Sequence, residues 1–166
     1  SSAAFAKIDT LLSDASSSLH TERFAPHVTL FSPVIAASDE EAIAQVHKYA
    51  ETLASNSISV VVTELAAGSK YYQCIILKAM SSDTLECANK AARQYWSMQN
   101  QPCFNPHVSI VYGDLADEQL SKALSLVRNK LPVDLQELSF VATEIRVANT
   151  EGPCDQWRTI GNVPIG

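Results

Sequence analysis

Apolar residues recur at helical spacing at Phe5, Ile8, Leu11, Leu12, Ala15 and Leu19, which predicts a helix over residues 3–19 that loosens at the serines 16–18. The next segment, Phe24 to Pro33, is apolar with β-branched members, and Pro26 and Pro33 bound it as a strand whose start lacks an amide donor. Ser38 with Glu41 forms a capping box ahead of Ile43, Val46, Ala50 and Leu53, so a second helix is expected over 39–54. Two strand-like runs follow, Ile58 to Leu65 and Tyr71 to Met80, joined by a hairpin-type loop over residues 66–70. Asp83 with Glu86 opens a third helix running to Trp96. Phe104 to Gly113 reads as a strand, and the apolar stripe from Leu120 to Leu131 reads as a fourth helix that stops before Pro132. Leu138 to Val147 and Trp157 to Ile160 close the chain as strands. The order αβαββαβαββ, with two hairpin connections, predicts an α+β fold rather than a purely parallel, doubly wound sheet.

One heptapeptide returns. Phe24-Ala25-Pro26-His27-Val28-Thr29-Leu30 reappears as Phe104-Asn105-Pro106-His107-Val108-Ser109-Ile110, 80 residues later, with each copy set after one helix and before another. In a strand, residues i and i+2 share a face, so His27 lies beside Thr29 and His107 beside Ser109, while Val28 and Val108 point to the opposite layer. A single Pro-His-Val-Thr would read as an ordinary structural histidine. Its recurrence, with a hydroxyl at the same offset, changes that reading. If the halves pack about a pseudo-twofold axis, two imidazoles and two hydroxyls surround one centre. Hydroxyls donate to phosphate oxygens and imidazoles exchange protons near neutral pH, so the set suits in-line hydrolysis of a phosphodiester.

Charge bears on what that phosphate could be. The 166 residues carry 12 Lys plus Arg against 18 Asp plus Glu, a net charge of −6, with no basic stripe to neutralise a duplex backbone. A small phosphate ester is therefore the expected ligand, and duplex nucleic acid is not. With 46% hydrophobic residues and 18% charged, a single domain with a proper core is expected. No apolar run reaches transmembrane length and the Ser-Ser-Ala-Ala opening has no signal-peptide character, so we expect a soluble chain without membrane insertion. Cys74, Cys87, Cys103 and Cys154 form no C-x-x-C pair, and read as separate thiols rather than zinc ligands or a disulfide framework. Metal ligation by His27 and His107 lacks a third ligand, since His20 and His47 fall on a helix end and a helix face. No metal and no cofactor are expected. A Ser-His-Asp hydrolase is disfavoured by the absence of a G-x-S-x-G elbow.

The paired motifs Phe24-Ala25-Pro26-His27-Val28-Thr29 and Phe104-Asn105-Pro106-His107-Val108-Ser109-Ile110-Val111-Tyr112 resemble those of the two-histidine phosphoesterases, most closely the small fungal and plant cyclic phosphodiesterases. The resemblance spans nearly the whole chain, including Tyr72-Gln73-Cys74 and the Glu151-Gly152-Pro153 to Trp157 tail. It implies a bilobal α+β fold over 1–166, in which two pseudo-symmetric α/β lobes with antiparallel-rich sheets flank a central cleft. The lobes would lie near 24–80 and 104–166, with the chain crossing between them. It also implies hydrolysis of nucleoside 2′,3′-cyclic phosphates to 2′-phosphates, or of ADP-ribose 1″,2″-cyclic phosphate to the 1″-phosphate, in RNA or tRNA-splicing by-product metabolism. Carried over by motif position, His27 and His107 are the catalytic pair and Thr29 and Ser109 the phosphate clamps. We take His107 as base and His27 as acid, a choice that the repeat's symmetry does not itself make. Tyr112 and Tyr72 are further substrate-binding positions. For Tyr112 to reach the pocket, the strand must end or bulge near Val111 and Gly113, and Tyr72 reads equally well as a half-buried strand aromatic. Related domains begin with a short strand before the first helix, whereas this chain opens in that helix. The implied protein is a monomer, cytoplasmic or alternatively Golgi-associated. A competing reading uses the same cleft to bind RNA ends or process 2′,5′ linkages, and a third is a catalytically silent interaction domain.

Overall fold

The computed structural model describes residues 3–53 and 57–165 of the chain. Among these residues, four α-helices and six strands follow in the order α1 (Ala3–Leu19), α2 (Asp39–Ala50), β1 (Ile58–Ala67), β2 (Ile75–Met80), α3 (Asp83–Tyr95), β3 (His107–Val111), α4 (Asp117–Arg128), β4 (Phe140–Ala142), β5 (Glu144–Asn149) and β6 (Arg158–Pro164). The fold is mixed α/β with antiparallel strand pairing, as the alternating periodicities predict. The chain divides into two compact units, interleaved along the sequence.

The first unit comprises Ser1–Thr29, Val61–Met80 and Asn105–Phe140. Its framework is β3, β2 and most of β1, in a four-stranded sheet of order β3-β2-β1-β4. Residues Leu65, Leu77 and Val108 follow one another across β1, β2 and β3, and so share a face. Leu77 and Val108 are fully buried, as are Ile8, Leu12 and Ala15 on the apolar stripe of α1, which packs against β3 and α4. Ion pairs at the rim of this layer, Lys7 with Glu137 and Lys130 with Asp14, are exposed and contribute little to stability.

The second unit comprises Leu30–Val60, Ser81–Phe104 and Val141–Gly166. There the β5-β6 hairpin packs against α2 through Val46, Ala50, Val147 and Val163. Ser38 caps α2 by accepting from the Glu41 amide at 3.3 Å. The helix ends at Ala50, capped by Glu51, short of the residue 54 that the apolar spacing predicts. Arg158 and Asn149 hold Asp39 at the first turn of α2, and their hydrogen bonds keep its carboxyl below the usual carboxylate range. The buried polar residues here find partners: Tyr49 donates to the Ala88 carbonyl at 2.7 Å and Asn89 to the Leu30 carbonyl at 2.7 Å.

Several elements depart from the sequence expectation, each for a local reason. The strand expected over Phe24–Pro33 is reduced to one isolated bridge at Val28, because Pro26 and Pro33 have no amide to continue a ladder. The expected order αβαββαβαββ accordingly begins with two consecutive helices. Tyr71–Gln73 leaves the strand run and forms a 3₁₀ turn, so the loop between β1 and β2 is longer than residues 66–70. Gly68 lies against this turn. Its amide donates to the Cys74 carbonyl at 3.1 Å, and a Cβ placed on it would stand 1.9 Å from the Gln73 carbonyl oxygen. Ser82, rather than Asp83, caps α3 by accepting from the Leu85 amide at 3.2 Å. The run Leu138–Val147 breaks at Thr143, where the chain passes from the four-stranded sheet to the β5-β6 hairpin. The last strand runs further than Trp157–Ile160, to Pro164.

Candidate active site

Both H-x-[TS] triplets fall in the first unit, although the repeat suggests one in each half of the chain. They meet through an antiparallel bridge between Val28 and Val108, the central residues of the two H-x-[TS] triplets. Carried one residue either way, that register sets His27 opposite Ser109 and Thr29 opposite His107. Directly opposed residues share a face, so all four side-chain positions lie on one side of the strand pair, away from Val108. The two histidines occupy a diagonal, with their Cβ atoms about 7 Å apart. Antiparallel pairing of two like segments creates a local dyad at the bridge, and the sequence repeat is its chemical counterpart.

Each imidazole is oriented by its own backbone in the same manner. His27 Nδ1 lies 2.8 Å from the Ala25 carbonyl and His107 Nδ1 lies 2.7 Å from the Asn105 carbonyl. A carbonyl can only accept, so both Nδ1 atoms carry the proton and the lone pair of each neutral ring sits on Nε2. Pro26 and Pro106, both buried, restrain the backbone between carbonyl and ring. The motif thus prescribes the tautomer as well as the position, as a following carboxylate does for a catalytic histidine elsewhere.

The two hydroxyls differ. Thr29 is exposed. Ser109 is 4% exposed, and its Oγ donates to the Tyr72 carbonyl at 2.8 Å, spending its one proton on the backbone of the 3₁₀ turn. To donate to a phosphate oxygen, Ser109 must exchange that bond, whereas Thr29 sits at the surface.

β3 bulges and ends just before Tyr112. Ile75 pairs with Val111 and Ile76 with Ser109, so Ile110 is an extra residue in β3, and the strand ends one residue later. This bulge reverses the alternation and turns Tyr112 towards the side of Ser109. Gly113 follows with φ +155°, and its amide donates to the Tyr71 carbonyl at 2.9 Å. Tyr112 is nonetheless buried, with its ring stacked on Phe24 at a centroid distance of 3.8 Å and 11° between planes. Tyr72 is half exposed and meets Tyr112 edge to face at 5.2 Å. It lies on the 3₁₀ turn rather than in the strand expected over Tyr71 to Met80. Phe24, first residue of the first motif, is thereby a structural support for Tyr112, and nothing in the letters alone pairs the two.

Among the described residues, no group of three or more His, Cys, Asp or Glu side chains comes together as a metal site. His20 and His47 lie apart from the motif pair in sequence, His20 closing α1 with φ 53° and His47 exposed on α2. The four cysteines are free thiols, with Cys74 and Cys154 buried and Cys87 and Cys103 exposed. Among the described residues, no helix is long and apolar enough to cross a membrane.

The model of the cyclic phosphodiesterase-like protein family matches residues 2–165, a span that includes both H-x-[TS] triplets. The chain belongs to the cyclic phosphodiesterase-like family. Phosphodiester hydrolysis is therefore the chemistry its site is to be read against. Among solved structures, the chain is similar to Usb1 of Kluyveromyces marxianus, with 14% identity and a TM-score of 0.48 over 96% of this chain and 92% of that one. The same Usb1 with uridine monophosphate gives 14% identity and a TM-score of 0.47 over 95% and 90%. No curated protein matches the chain.

Proposed function

We propose that this member of the cyclic phosphodiesterase-like family hydrolyses small cyclic phosphodiesters by paired-histidine acid–base catalysis. The substrates are nucleoside 2′,3′-cyclic phosphates, opened to 2′-phosphates, or ADP-ribose 1″,2″-cyclic phosphate, opened to the 1″-phosphate. The observation that carries the reading is the Val28–Val108 bridge, which supports two like-tautomer imidazoles on one face with a hydroxyl opposite each.

In the proposed reaction on a 2′,3′-cyclic phosphate, His107 Nε2 takes a proton from water as the water oxygen bonds to phosphorus. The bond from phosphorus to O3′ breaks on the opposite side, and His27, protonated at Nε2, gives that proton to O3′. The products are a 2′-phosphate and two histidines with exchanged protonation, which solvent resets. Each proton transfer is worth roughly 10²- to 10⁴-fold. Thr29 and Ser109 stabilise the non-bridging oxygens of the five-coordinate phosphorus. Tyr72 lies beside the sugar or base, and Tyr112 forms the wall behind it. The scheme requires no metal. The reading includes the two-lobed two-histidine phosphoesterase fold, which family membership supports.

Incubation with a 2′,3′-cyclic mononucleotide and with ADP-ribose 1″,2″-cyclic phosphate in EDTA tests it. Opened monoesters should form with the wild-type chain, and rates should fall at least 10²-fold in His27→Ala and in His107→Ala. Full activity in either variant would remove the mechanism. Binding without hydrolysis, tightening with oligonucleotide length and weakening steeply with salt, would favour the RNA-end reading instead.

A further inference from the structure

The motif pair supplies two imidazoles and two hydroxyls but no fixed positive charge, and the chain as a whole carries −6. A permanent cation beside the titrating imidazoles would help to draw in and hold an anionic substrate. Register identifies one. In the β2-β3 ladder Lys78 is the direct partner of His107, and in the β1-β2 ladder Glu64 is the direct partner of Lys78. Directly opposed residues of antiparallel strands share a face, so Lys78 stands on the same side of the sheet as His107, with Cβ atoms about 5 Å apart. A row crosses the sheet on that face: Glu64, Lys78, His107 and, through the Val28–Val108 register, Thr29.

Lys78 is the lone charged residue of β2, whose remaining positions are apolar and mostly buried. Its Nζ lies 3.0 Å from Glu64 Oε2, and both side chains are substantially exposed, 44% and 59%. An ion pair so exposed adds little to stability, and its partner is easily exchanged for a stronger anion. The Lys78 stem springs from the strand next to His107, so a swing away from Glu64 carries the ammonium over the imidazole, where the phosphate of a substrate would lie.

The geometry points to Lys78 as a substrate-binding residue, whose ammonium exchanges the Glu64 carboxylate for a phosphate oxygen of the bound cyclic diester and of the monoester product. Glu64 parks the ammonium when the site is empty. Because the product monoester carries more negative charge than the diester, Lys78 favours retention of product more than of substrate. This inference rests on the phosphodiesterase reading and adds to it the charge that draws the anion in.

The test compares wild type with Lys78→Gln, Lys78→Arg and Glu64→Gln, by initial rates on a 2′,3′-cyclic mononucleotide and by calorimetric titration with the matching nucleoside 2′-monophosphate, each at low and high salt. Lys78→Gln should raise KM about 3- to 10-fold while kcat changes less than about 2-fold, and should flatten the salt dependence of kcat/KM. Monophosphate affinity should fall by more than the rise in KM. Lys78→Arg should restore both, and Glu64→Gln should leave KM unchanged or lower it. If the pair were only a surface strut, Lys78→Gln and Glu64→Gln would behave alike, with KM and salt dependence as in wild type, and the inference would be overturned. Should the wild-type chain neither hydrolyse the diester nor bind the monophosphate, the phosphodiesterase reading falls and the role of Lys78 with it. Wild-type hydrolysis with an unaltered Lys78→Gln variant removes Lys78 alone.

Discussion

Ser109→Ala separates two duties that the repeat makes look identical. The variant deletes one buried neutral hydrogen bond, from Ser109 Oγ to the Tyr72 carbonyl at 2.8 Å. A bond of that kind contributes about 1 kcal/mol net, and more where the acceptor is left unpaired. For a chain of this length, about 1 kcal/mol lowers Tm by roughly 2–4 °C. Thr29, its counterpart, is exposed, so Thr29→Ala should stay within about 0.5 kcal/mol of wild type and melt with it. Both variants remove a hydroxyl that the proposed mechanism aims at phosphate, and each should lose about 10²-fold in rate. The paired assay is thermal unfolding followed by circular dichroism, alongside initial rates on a 2′,3′-cyclic mononucleotide. A Ser109→Ala variant melting with wild type would refute the tie between β3 and the Tyr71–Gln73 turn. Undiminished rate in Thr29→Ala would refute the clamp.

Other consequences concern the pH profile, the loop and the acid side of stability. The rate should describe a bell in pH, since one imidazole must start neutral and the other protonated; a flat profile from about pH 5 to 9, with chemistry limiting, would exclude paired histidines. Gly68→Ala drives a Cβ into the Gln73 carbonyl, so the turn carrying Tyr72 must shift, with a cost of about 1–3 kcal/mol; an unchanged urea midpoint and unchanged KM would contradict the close approach. Asp39 has its carboxyl held below the usual range by Arg158 and Asn149, so its contribution to stability is present above the unfolded carboxylate range and is lost as pH falls through the lowered folded value. Urea midpoints of wild type and Asp39→Asn should therefore differ at pH 7 and converge in acid, and a gap that persists in acid would contradict the assignment.

Periodicity and capping letters alone determined α1 through α4, β1, β3 and the mixed character of the fold, because burial of one face repeats at a fixed interval along a helix or strand. The repeated heptapeptide likewise marked His27, Thr29, His107 and Ser109 as a set. Tertiary structure decided the rest, since it depends on partners distant in sequence. Pro26 and Pro33 left the segment Phe24–Pro33 too few amide donors for a ladder, and a single bridge from Val28 to Val108 took its place. The bulge at Ile110 exists only in relation to Ile75 and Ile76, yet it turns Tyr112. Ser109 reads as the twin of Thr29 until the Tyr72 carbonyl is seen to hold its proton. Lys78 stands 29 residues before His107, and no local pattern joins them. Hydrogen-bond register across β2 and β3 sets them side by side, and that non-local pairing is what a one-dimensional reading lacks.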